Sequence, residues 1–179
     1  MLDIAVSYNR YKFIGFEFLT WLWFVMENHP EVLEEADRDL VSLDIGNRLV
    51  LEKTRSKANE SITIKGDQAG FEEGVLALKK GAVVTELNLA YKADGHEWRF
   101  SLKGESLNVS GLKTPPTAPV EKAEDIEGAV LEKMFLYEKV FDLISHLYSA
   151  FIRQRVSNRW AGEVLPRMKS WINSWPVSH

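Results

Sequence analysis

The sequence predicts an α+β fold. Three observations carry the prediction: an aromatic run of helical length, "FIGFEFLTWLWF" from Phe13 to Phe24; apolar–polar alternation through the middle of the chain; and a long stretch of three-and-four spacing towards the C-terminus. With 179 residues, 45% of them hydrophobic and 27% charged, the chain has the composition of a globular protein with a sizeable core. It fits either a single compact domain, 1–179, or two βββα subdomains, 1–81 and 82–179.

The first helix is expected from about Arg10 to Asn28, buried because it is apolar on nearly every side. Glu17 and Thr20 interrupt the run before it reaches the roughly 20 apolar residues that a membrane span needs. The mixed start "MLDIAVSYNRYK" is unlike a signal peptide, so the expectation is a cytoplasmic protein with no membrane partner. The absence of cysteine excludes thiolate metal sites, thiol nucleophiles and disulfides.

His29-Pro30 stops the helix, and the acidic "PEVLEEADRD" reads as a short solvated helix or connector. Val41, Leu43 and Ile45 then alternate, Gly46-Asn47 supplies a two-residue turn, and "RLVLEK" returns as a hairpin. "SITIKG" is a third strand, Asp67 caps the helix "QAGFEEGVLALKK", and Gly81 ends it. A second set follows: "VVTELNLAYK", a turn at Asp94-Gly95, "EWRFSLKG" with Trp98, Phe100 and Leu102 inward, and "SLNVSGLK" before the Pro-rich "TPPTAP". "SITIKG" and "SLNVSG" share a pattern, so the expected architecture is two βββα-like units forming antiparallel sheet, through either duplication or chance likeness.

A long helix spans about Ile126 to Val156. Val130, Met134, Tyr137, Phe141, Ile144, Tyr148 and Phe151 alternate spacings of four and three, and Leu136, Val140, Leu143 and Leu147 widen the apolar face, so the helix packs on more than one surface. One or two short helices finish the chain, with Pro166 kinking one or opening a new turn.

Glu17 is the odd residue of the aromatic helix. A carboxylate there costs several kcal/mol unless paired or hydrogen-bonded. It either reaches water at the edge of the core or meets a specific buried or interfacial partner.

No catalytic residue, metal ligand set or cofactor motif is expected. His29, His96, His146 and His179 lack metal-ligand spacing, Asp142 and His146 read as a solvated i,i+4 pair, and there is no phosphate loop, G-x-S-x-G or H-E-x-x-H. Asp44, Glu52 and Lys53 are the nearest candidates for a metal-dependent nuclease.

Charge gives a different lead. The net charge is -4, yet from Ala150 to the C-terminus Arg153, Arg155, Arg159, Arg167 and Lys169 face only Glu163, with Trp160, Trp171 and Trp175 interleaved. Such bases suit phosphates, while the helical spacing of the tryptophans marks them as packing residues. Lys53, Arg55 and Lys57 form a second small basic cluster.

"GFEFLTWLWF", then "KKGAVVTELNLAYKADGHEWRFSLKGESLNVSGLK" and a long C-terminal helix, resembles the C-terminal portion of the bacterial recombination-associated RdgC family. The Gly-x-Val-Val-Thr-x-Leu-x-Leu pattern appears as Gly81, Val83, Val84, Thr85, Leu87 and Leu89. The resemblance implies a noncatalytic protein that binds duplex DNA with little sequence preference and modulates recombination, with the recombinase RecA as a further partner. It also implies a homodimer, or an assembly with a separate chain supplying the N-terminal part of the family. The alternative expectations are a protein-interaction module, marked by an exposed apolar patch above a few hundred Å², a subunit completing a split assembly, and a nuclease.

Overall fold

The computed structural model describes residues 12–55, 58–65, 69–123 and 125–175. The aromatic run forms α1 (Phe13–Asn28), with Phe18, Leu19, Trp21 and Trp23 fully buried. Arg10, the expected start, lies outside the described residues. His29 leaves helical geometry at φ -141°, and Pro30 then opens α2 (Pro30–Ala36), whose Leu33 joins the core.

A five-stranded antiparallel sheet in the order β2-β1-β3-β4-β5 covers α1. Its strands are β1 (Leu40–Arg55), β2 (Ala58–Lys65), β3 (Val83–Ala93), β4 (His96–Lys103) and β5 (Asn108–Lys113). The helix α3 (Ala69–Lys79) links β2 to β3, and the α+β class is as expected. One sheet serves both halves of the chain, because β1 pairs with β3 across residues 81 and 82. Asp67, the expected cap of α3, lies outside the described residues.

The first half holds two strands where three were expected, because Gly46-Asn47 is an irregularity inside a continuous β1 and not a hairpin turn. A type I′ turn needs positive φ at both central residues. Asp94 (φ 49°) and Gly95 (φ 72°) meet that need between β3 and β4, whereas Gly46 and Asn47 do not. The register with β3 slips between Ile45 and Leu49, and Asn88 fills the gap: its Oδ1 accepts from the Asn47 amide at 3.3 Å and its Nδ2 donates to the Phe100 carbonyl at 3.2 Å. Leu43, Ile45, Leu49 and Leu51 thereby stay on the face that meets α1. "SITIK" and "SLNVSG" also differ in role. The first lies in edge strand β2, while the second begins in the turn before β5, with Leu107 at φ 54°, and ends at Gly111 with φ 62°.

Gly81 ends α3 as expected, in a Schellman motif: Gly81 N–H donates to Leu78 at 2.9 Å and Ala82 N–H to Ala77 at 3.0 Å. On β4, Trp98, Phe100 and Leu102 point into the core while Arg99 and Lys103 are exposed. The long helix, α4 (Asp125–Arg155), ends within one residue of its expected bounds. A π-helical turn, Trp160–Val164, runs into α5 (Leu165–Ser174), and Pro166 sits in the first turn of α5, where its missing N–H costs nothing.

Among the described glycines, Gly15 has the least room for a side chain, where α1 crosses the end of β4. A Cβ built on Gly15 would fall 1.8 Å from the Gly104 carbonyl oxygen, a contact that backbone cannot yield cheaply. Gly15→Ala is therefore expected to cost about 1–3 kcal/mol of stability in urea unfolding; an unchanged midpoint would show that the helix can slide off this contact.

Candidate interaction surface

Three of the predicted basic residues are paired with acids. Arg155 donates from Nε to Glu17 Oε2 at 2.7 Å, and its guanidinium lies 5.2 Å from the Trp160 ring centroid. This contact answers the question Glu17 poses. The edge-of-core reading applies: the carboxylate side chain is 37% exposed and reaches water, and its partner, a residue of the same chain, is itself 35% exposed and not buried.

Arg159 and Arg167 share one acid. Glu163 binds Arg159 at 2.8 Å and Arg167 at 3.0 Å, one helical turn to either side. This lowers the Glu163 pKa, chiefly through the Arg159 hydrogen bond. Arg153, Arg159 and Arg167 do line one groove of about 440 Å³, but Glu31, Glu35 and Glu163 line it with them. Lys169 is exposed on α5. Lys53 is half-buried near the end of β1, Arg55 is the last residue of that strand, and Lys57 lies outside the described residues. Trp160 and Trp171 are buried as packing residues, as their spacing predicts.

The nuclease candidates remain apart. Asp44 and Glu52 are eight residues from each other along one extended strand, a span of about 25 Å. Among the described residues no group of three or more His, Asp or Glu is placed to hold a metal ion. Asp142 and His146 are exposed on α4.

The feature that stands out is the division of α4. At 31 residues it is about 46 Å long. From Leu136 onward it is part of the core, with Leu136, Val140, Leu143, Ile144, Leu147 and Phe151 buried. Before Leu136 it has no buried residue. The point of departure is pinned: Trp98 donates its indole N–H to the Leu136 carbonyl at 2.9 Å, and Lys139 Nζ lies 3.0 Å from Asp39 and 3.8 Å from Asp94. Beside them Tyr91 donates its hydroxyl to Asp37, and burial together with that bond raises the phenol above its ordinary range.

Ile126, Val130, Leu131, Met134, Phe135 and Phe141 are each more than half exposed, and Tyr137 is 38% exposed. Side chains of this size at such exposure leave roughly several hundred Å² of apolar surface open, the range in which a patch marks an interaction site. The loop before α4 braces the other side of the helix. Ala118 N–H donates to Glu132 at 3.2 Å and Lys133 Nζ to Thr114 Oγ1 at 2.7 Å, so these turns are held while, among the described residues, the apolar stripe stays exposed.

No protein-family model, curated protein or solved structure matches this chain. The candidate site therefore rests on the geometry above. Sequence reasoning placed Val130, Met134, Tyr137 and Phe141 on an apolar face of the long helix and offered docking of that helix onto another polypeptide as an alternative, while Leu131 and Phe135 were in neither apolar row. Glu27 was given no bonding role, although it accepts from the Trp23 indole at 2.6 Å and the Trp171 indole at 3.1 Å.

A double-mutant cycle on Glu17→Gln and Arg155→Gln, read by urea unfolding, is expected to return a coupling of about 0.5–1 kcal/mol, the range of a well-formed pair that still meets water. Strictly additive losses would show that the two side chains act independently.

Proposed function

We propose that the protein is a protein-interaction module that docks another polypeptide on the uncovered half of α4. The observation that carries this reading is the run of half-exposed aliphatic and aromatic side chains from Ile126 to Phe141 on a helix braced from behind. Loop tips tolerate single exposed apolar residues at little cost, but a contiguous stripe on an ordered helix is retained for contact. Because these side chains make little use of the core, Val130→Ser with Met134→Ser is expected to change unfolding stability by only about 0.5 kcal/mol.

The test is a photo-crosslinking amino acid at Phe135, with Ser149 as the control position, in the cells the protein comes from. One discrete adduct at Phe135, lost in the Val130→Ser/Met134→Ser background and lacking at Ser149, is the expected result. Equal labelling at both positions would overturn the reading.

A second reading keeps DNA as partner, through the sheet face turned away from α1 in place of the C-terminal bases. On that face Arg48, Lys65, Lys92, Arg99, Lys103 and Lys113 outnumber Asp44, Glu52, Glu86 and Glu97. Arg48 lies 3.3 Å from Glu86 and Arg99 2.5 Å from Glu97, which leaves the lysines as the phosphate contacts. Binding of mixed-sequence duplex is then expected at low salt, falling at least tenfold by moderate salt and by a further large factor in Lys103→Glu/Lys113→Glu. No binding at low salt would remove DNA as a direct partner of this chain.

A further inference from the structure

The seven residues with four-and-three spacing form one seam along α4, and the structure already fills half of it. Towards the C-terminus Ile144 and Phe151 are buried, and Phe18 of α1 meets Tyr148 edge-on at 5.2 Å and Phe151 at 5.5 Å between ring centroids. Towards the N-terminus the same seam continues through Phe141, Tyr137, Met134 and Val130, which stay exposed among the described residues. What closes the lower half is a helix. A seam of this periodicity accepts helical side chains as knobs along its whole length.

The borders of the open half specify charge. At about 100° per residue, Glu127, Glu138 and Asp142 fall along one edge of the stripe, on the side of Leu131 and Phe135. All three are exposed, and none has an ion pair or hydrogen bond among the described residues. Lys133, at the opposite edge, is occupied by Thr114 Oγ1 at 2.7 Å and lies over the Tyr137 ring at 5.7 Å. An incoming segment therefore meets apolar surface bordered by free carboxylates.

We infer that the occupant is an amphipathic helix of a different protein, laid along α4 in continuation of the seam that α1 fills, with lysine or arginine on the flank that faces Glu127, Glu138 and Asp142. The inference rests on the interaction reading above and deepens it by naming the partner's chemistry. A second copy of this chain fits poorly. Antiparallel pairing sets the acidic edge against itself, at a cost. Parallel pairing is blocked below Ile144, where each copy's own α1 occupies the seam. The area agrees as well, since four helical turns bury in total only about 1,000 Å², the low end for specific contacts and typical of reversible ones.

The experiment uses the full chain and two fluorescent synthetic helices of about four turns, both with a Leu/Ile seam, one flanked by Lys and one by Glu. Anisotropy titration is expected to show the Lys-flanked peptide binding at least tenfold tighter at low salt, with the advantage shrinking as salt screens the flank. Glu127→Lys/Glu138→Lys/Asp142→Lys is expected to reverse the preference, with helix content by circular dichroism unchanged. Equal affinities, or a preference that survives the charge reversal, would overturn the inference. So would concentration-dependent dimerisation through the stripe, seen by light scattering and abolished by Val130→Ser/Met134→Ser. If neither peptide binds while the Phe135 adduct forms, the partner chemistry is wrong and the interaction reading stands; if the adduct also fails to form selectively, both fall.

Discussion

Enclosing α1 is the constraint that organises this molecule. A helix carrying Phe16, Phe18, Trp21, Trp23 and Phe24 within three turns has almost no face that water can occupy, so other elements must cover it on several sides. The sheet covers one side, the C-terminal half of α4 another, and Trp171 of α5 packs edge-on to Trp23 at 5.4 Å and to Phe24 at 5.7 Å. Enclosure also requires acceptors for the polar edges of the rings. Trp21 finds Gln154 at 3.0 Å and Trp171 finds Glu27, so the aromatic core is tied together by directed bonds as well as by area. Since α1 is only 16 residues long, it can cover only part of a helix nearly twice its length. Among the described residues, α4 accordingly has no buried side chain before Leu136.

Much of this was legible in the sequence because local patterns were strong. The His29-Pro30 stop, the Asp94-Gly95 turn, the inward row Trp98, Phe100 and Leu102, and the ends of α4 each depend on a few neighbouring residues. Gly46-Asn47 was misleading because the same dipeptide suits a tight turn and a strand irregularity. What separates the two is Asn88, 41 positions away, whose side chain replaces the ladder bond that β1 loses there. The two six-residue look-alikes share letters without sharing a structural role, since Leu107 adopts positive φ in a turn while its counterpart Ile62 lies within β2.

The candidate site was legible in part. The count from Arg153 to Lys169 set Glu163 against the bases as a single charge, yet it sits four residues from both Arg159 and Arg167, a spacing visible in the sequence that predicts both ion pairs. The pairing of Glu17 with Arg155 crosses 138 positions and could not be read locally. The apolar rows of α4 were recognised, but periodicity reports which residues share a face and not whether anything covers it. Burial requires the whole fold, and the described residues bury one end of the seam only.

The account therefore turns on a contrast within a single helix: enclosed from Leu136 onward, open before it. Amide hydrogen exchange along α4 in the isolated chain measures that contrast most directly. The account predicts that amides between Leu136 and Phe151 exchange near the global unfolding limit, while those from Val130 to Phe135 exchange orders of magnitude faster. Uniform protection along the helix would contradict it, since the apolar stripe would then already be covered within the chain.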